Sequence, residues 1–165
     1  MREIVFDTET TGLDPAAGHR VVEIGCVELV NHMPTGETRQ WYLNPQRDMP
    51  EEAFNIHGLS EDFLSDKPLF AAVVEDFLEF VHGATLIAHN ANFDMRFLNA
   101  ELAALDRPNL PKDRVLDTIA LARQKIRGGQ FSLDALCRRF DIDLSAREKH
   151  GALLDAELLA EVYLE

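Results

Sequence analysis

The chain has 165 residues, 46% of them hydrophobic, which is enough for one domain with a substantial core. Its 29 acidic and 16 basic residues leave a net charge of −13. That balance argues against nucleic-acid binding driven by a basic surface, while leaving room for an enzyme whose acids hold metal ions that in turn receive phosphate.

Residues 2–9 read as a first strand, apolar through Phe6 and ending in Asp7 and Glu9. Residues 19–30 and 37–43 read as a second and a third. The turn signals GLDPAAG and NHMPTGE separate them, so an antiparallel meander is expected. Phe70, Val73, Val74, Phe77 and Val81 recur at helical spacing after Pro68. Residues 84–89 read as a buried strand, 92–105 as a helix and 114–117 as a short fifth strand. Asp117 is placed to cap a helix running to Lys125, Ser132 to cap LDALCRRF, and a last helix runs from about Ala152. The order βββαβαβααα predicts an α/β fold: a mixed sheet with helices on its faces. There is no repeat or long linker, so residues 1–165 read as a single domain. The last helix is still patterned at Glu165, and the natural chain is expected to continue. No apolar run approaches the roughly 20 residues that cross a membrane. The N-terminus lacks a signal peptide's pattern, and Cys26 and Cys137 read as free buried thiols, so a cytoplasmic protein is expected.

Four acids stand where acids are costly. Asp7 and Glu9, two apart on a strand, point to one face. Asp94 shares a helical stripe with Phe97, Leu98, Leu102 and Leu105, and Asp155 shares one with Leu158, Leu159 and Val162. Each alone has an ordinary explanation: a turn cap for Asp7 or Glu9, backbone hydrogen bonds at a helix start for Asp94, an arginine partner for Asp155. Four separate compensations are a heavier demand than one or two divalent cations serving all four. Oxygen-only ligands suit Mg²⁺ or Mn²⁺, and no Cys/His cluster has zinc-like spacing.

FDTETTG, HNANFD and HGALLDA, in that order, resemble the three motifs of the DEDD exonuclease superfamily, and the histidine of the third points to the DEDDh branch. Within it, VVEIGCVELVN, FNIHGLSEDFLSDKP and SLDALCRRFDID resemble the exonuclease domains of bacterial DNA polymerase III epsilon subunits, the replicative proofreaders. The resemblance implies a ribonuclease-H-like mixed five-stranded sheet whose second strand is antiparallel to the rest, with helices on both faces. It implies a metal-dependent 3′→5′ exonuclease acting on single-stranded or frayed DNA 3′ ends in the replication machinery at the nucleoid. Asp7, Glu9 and Asp155 would hold one of two divalent cations. By the same resemblance Asp7 would also contact the second, Asp94 would reach it partly through water, and the pair would clamp an in-line phosphoryl displacement. His150 would be the general base. Five residues before Asp155, it is about 140° away around an ideal helix, so it is expected in a loop or first turn.

The resemblance further implies that Thr10, Gly12 and Leu13 contact the terminal nucleotide, by backbone groups and a wedge against the base, and that His57 approaches it. Asn90 and Phe93 either contact substrate or brace Asp94, and Asp117 is read as a cap rather than a fifth ligand. In the epsilon subunits a C-terminal tail binds the polymerase III alpha subunit and the sliding clamp, and this chain is expected to lack it. Two other readings stand beside the first: a DEDDh exoribonuclease trimming RNA 3′ ends, since sequence does not reveal how a 2′-hydroxyl is treated, and a non-catalytic module binding metal or protein on the same scaffold.

Overall fold

The computed structural model describes residues 1–145, 147 and 150–165. Strands β1 (Arg2–Thr10), β2 (Val21–Val30) and β3 (Met33–Tyr42) form the meander. Helices α1 (Glu51–His57), α2 (Glu61–Leu64) and α3 (Phe70–Val81) follow, then β4 (Thr85–Ala88), α4 (Ala91–Ala104), β5 (Val115–Asp117), α5 (Thr118–Lys125), α6 (Leu133–Arg139) and α7 (Ala152–Leu164). The sheet order is β3-β2-β1-β4-β5, with β2 antiparallel to both neighbours and β4 and β5 parallel to β1. This is the expected mixed sheet with its second strand reversed.

Strand β3 starts four residues before the predicted 37. Val30 pairs with Met33 across only Asn31 and His32, whose φ values of 52° and 62° make a two-residue hairpin turn. Two short helices, α1 and α2, were not legible from periodicity. Phe54 and Ile56 of α1 are largely exposed, so the segment shows no apolar stripe. Its end signals are nonetheless present: Glu51 and Glu52 in the first turn, and Gly58 at φ 72° closing it by a bond to the Phe54 carbonyl.

The central strand is buried on both sides, as a strand between two helical layers must be. Ile4 and Phe6 pack with Phe77, Phe97 and Leu98 beneath α3 and α4. Val5 faces the other way and packs with Val27, Ile87, Leu136 and Leu159 beneath α6 and α7. Asp7 and Glu9 continue Val5's face and Thr8 continues that of Phe6. Cys26 and Cys137 are buried free thiols.

One glycine sets how closely the α7 layer approaches. Gly25 is the cross-strand partner of Asp7. A Cβ built there would lie 2.3 Å from the Leu153 nitrogen and 2.4 Å from the Ala152 carbonyl carbon, so the backbone of α7's first turn rests directly on β2. The Gly25→Ala variant is therefore expected to lose about 1–3 kcal/mol of stability through overpacking. Gly151→Ala, a position with no neighbour within 4 Å, should melt close to wild type. Thermal unfolding of the two variants checks this; a Gly25→Ala protein as stable as wild type would contradict it.

Candidate active site

Strand β1 delivers Asp7 and Glu9 to the C-terminal edge of the sheet, where the chain turns away. Thr10 Oγ1 donates to the Gly12 carbonyl at 2.5 Å. The Thr11 nitrogen donates to the Arg20 carbonyl, and Arg20 N returns a bond to Thr11 Oγ1, each at 2.9 Å. Gly12 is needed because a Cβ there would sit 2.4 Å from the His19 ring. The turn projects Leu13 outward, 73% exposed. From α1, His57 is buried against this turn. The Leu59 N–H donates to its Nδ1 at 3.0 Å, so the ring's own proton sits on Nε2, which donates to the Thr10 carbonyl at 3.0 Å. Burial lowers its pKa and keeps the ring neutral. His57 thus ends α1, and both of its nitrogens are taken by backbone.

Asp94 arrives from the opposite layer. It lies in the first turn of α4, buried, and accepts from Thr8 Oγ1 at 2.5 Å. The helix opens on Asn90 in the left-handed region (φ 63°, ψ 58°), a conformation asparagine tolerates better than most residues. Asp117 locks that opening: its carboxylate accepts from the backbone N–H groups of Asn90 and Ala91 and also caps α5 at Ile119. The cap reading of Asp117 therefore holds for two helices. Asn90 is exposed, and Phe93 is half-buried with its ring 5.0 Å from that of Phe97.

Asp155 comes from the first turn of α7, over Gly25. His150 precedes that helix, outside it as expected, with its N–H on the Ile56 carbonyl at 2.9 Å. Two residues not singled out from sequence organise this corner. Glu23 of β2, buried opposite Glu9, accepts from Ala152 N at 3.0 Å and Gln40 Nε2 at 2.7 Å, tying β2 and β3 to the start of α7. Arg147 donates from Nε and Nη2 to the two oxygens of Asp155, at 2.7 and 3.0 Å, and from Nη1 to Asp134. Nη2 also lies 3.4 Å from His150 Nδ1. The signal for Glu23 is an acid amid apolar neighbours in VVEIG; Arg147 carries none, because its partners lie on separate helices.

Asp7, Glu9, Thr10, Gly12, Leu13, His57, Asn90, Phe93, Asp94, His150 and Asp155 all line one cleft of about 730 Å³. Six acids, Asp7, Glu9, Glu52, Asp94, Asp134 and Asp155, line it against one arginine and no lysine among the described residues. Burial, then Asp94, Glu9 and Asp155, push the Asp7 carboxyl well above its ordinary value. Burial, then Asp155 and Glu23, carry Glu9 to about 9, and burial carries Asp94 to about 7 against the opposing Thr8 hydrogen bonds. Two of the ordinary compensations do occur: Thr8 and helix backbone for Asp94, Arg147 for Asp155. Asp7 and Glu9 still face crowding that a cation relieves. Ligand atoms of Glu9, Asp155 and His150, two carboxylate oxygens and an imidazole nitrogen, lie within 4.8 Å of one another, a donor set that fits a divalent ion.

Residues 4–163 match the RNase_T exonuclease family model. The DNA polymerase III subunit epsilon of Rickettsia felis is 54% identical over 168 residues, covering 100% of this chain and 73% of that protein. The structure of exonuclease X in complex with 5′ overhanging duplex DNA is similar at TM-score 0.74 and 26% identity, over 98% of this chain and 88% of that one. The nuclease domain of 3′hExo, a DEDDh family member bound to rAMP, shares the fold at TM-score 0.83 and 18% identity, over 99% and 90%. The chain belongs to the RNase_T exonuclease family.

Proposed function

We propose that this 3′→5′ exonuclease removes nucleotides from single-stranded or frayed DNA 3′ ends as the proofreader of a replicative polymerase, with two Mg²⁺ or Mn²⁺ ions as cofactors. The observation that carries this reading is the convergence of Asp7, Glu9, Asp94 and Asp155 with His150 in one cleft. Asp7, Glu9 and Asp155 would hold one ion, and Asp7 and Asp94 the other. Divalent cations held there would supply the Lewis acidity that lowers the pKa of an attacking water and offsets the charge on the leaving 3′ oxygen. His150, exposed and outside α7, takes the water's proton on a ring nitrogen. Leu13 is an exposed apolar side chain beside a turn whose Thr10 hydroxyl is already spent on Gly12. It wedges against the terminal base, while Gly12 and the turn's backbone groups meet the nucleotide. His57 acts by fixing the Thr10 carbonyl, and the half-buried Phe93 ring offers a wall for a base. A narrow cleft favours unstacked nucleotides.

A surface of net −13 gives weak affinity for DNA by itself. A polymerase that holds the primer nearby removes that handicap through effective concentration. The partners we infer are the alpha subunit and the sliding clamp, contacts that the resemblance assigns to a C-terminal tail of the full-length protein, within replication complexes at the nucleoid. No helix among the described residues is long and apolar enough to cross a membrane.

With Mn²⁺, 5′-labelled single-stranded DNA should shorten from its 3′ end. Asp7→Asn should abolish the ladder, and His150→Gln should slow it by about 10²–10⁴-fold. Shortening of RNA alone would replace the substrate class, and no shortening of either by folded protein would overturn the reading.

The raised carboxyl pKa values also set a pH dependence. A group whose pKa is higher folded than unfolded contributes stability that is fully present below the unfolded value and lost as pH rises through the folded one. In EDTA, the melting temperature contribution of this cluster should fall between the ordinary carboxylate range near 4.5 and about 9. Added Mg²⁺ should raise the melting temperature more at the alkaline end than at the acid end. Differential scanning calorimetry across that range checks it; a cluster that loses nothing over that interval contradicts it.

A further inference from the structure

Arg147 takes both oxygens of a carboxylate that the proposed chemistry requires for a cation. Its guanidinium meets Asp155 side-on, Nε to Oδ1 at 2.7 Å and Nη2 to Oδ2 at 3.0 Å. The arrangement is buried, with the Arg147 and Asp155 side chains only 8% and 6% exposed. Such a bidentate pair uses the lone pairs that a divalent ion would use. Two further contacts give the side chain a second function. Nη1 is held by Asp134 of α6, which is not among the four clustered acids. Nη2 also stands 3.4 Å from His150 Nδ1, the side of the ring from which an N–H donor would engage the lone pair of the base.

We propose that Arg147 is a positioning residue that stands in for the cation: it neutralises Asp155 and engages His150 until a divalent ion displaces it. The inference rests on the metal-site reading above. A guanidinium in this bidentate contact and a divalent ion compete for the same two oxygens, because their charges repel across a contact of a few ångströms. Exchange leaves Arg147 with Asp134 as its remaining anion, so the displaced charge stays paired. It also frees His150 Nδ1. Cation binding and release of the base are thereby one event, and the charge of Asp155 stays paired in the meantime.

The test is isothermal calorimetry with Mn²⁺ alone, on wild type, Arg147→Gln and Arg147→Lys. Removing the competitor should tighten Mn²⁺ binding roughly tenfold in Arg147→Gln, with the lysine variant, which keeps the charge but not the fork, in between. A merely structural arginine predicts weaker binding, because Asp155 would lose its orientation. Unchanged or weakened affinity overturns the inference alone, whereas no Mn²⁺ binding by wild type overturns the metal-site reading with it. If Arg147→Gln does not fold, wild type suffices. The Arg147 Nε–Hε resonance should move on saturation with Mg²⁺, and one that stays fixed while Mg²⁺ binds overturns the exchange.

Discussion

Carboxylates gathered and largely buried in one cleft cannot all be ionised unless positive charge is brought among them. That constraint organises this molecule. Strand β1 ends with Asp7 and Glu9 on one face, Asp94 and Asp155 close over them, and Glu23 adds a further buried acid across the ladder from Glu9. The protein's own answer is partial. Arg147 serves Asp155, and Thr8 serves Asp94, while burial and neighbouring acids hold Asp7 and Glu9 far above their ordinary pKa values. A site so short of cations is built to receive them.

The fold supplies the convergence through its layering. Because a strand alternates its faces, β1 presents Thr8 to the α4 layer and Asp7 and Glu9 to the α7 layer. Each layer then contributes one acid from the first turn of a helix, Asp94 on one side and Asp155 on the other. Those first turns are fixed from outside their own helices. Asp117 secures the opening of α4 while capping α5, and Glu23 secures the opening of α7. Gly25 removes the side chain that would hold α7 away from Asp7. The site therefore inherits its geometry from sheet register and helix starts, which are rigid features, and the hydrogen-bonded turn at Thr10–Leu13 is left for the substrate side.

Much of this is legible in the amino-acid sequence. Period-2 and period-3.6 patterns located β1, β2, β4, α3, α4 and α7, because each buries a full face. Side-chain capping located α5 at Asp117 and α6 at Ser132. The acids were legible as violations of those same patterns and His150 only through the motif resemblance, and all five line the cleft. Patterns failed where burial is incomplete. Helix α1 exposes Phe54 and Ile56, so neither it nor the fixed tautomer of His57 could be seen. They failed again where a role depends on a partner far away in sequence: Glu23 meets Ala152, and Arg147 joins Asp134 to Asp155. Periodicity describes one element at a time, and these residues act between elements.

The central claim is that the clustered acids are a cation site held in waiting by protons and by one arginine. Proton release on binding tests it most directly. Near neutrality Glu9, with a pKa of about 9, keeps its proton, Asp94, at about 7, keeps part of one, and Asp7 is raised as well. Cations can be held only by the ionised forms. Calorimetric titration of the protein with Mn²⁺ at pH 7, repeated in buffers of different ionisation enthalpy, should show release of at least about one proton per chain, declining as the pH is raised toward that of Glu9. Binding without proton release at pH 7 would contradict the account.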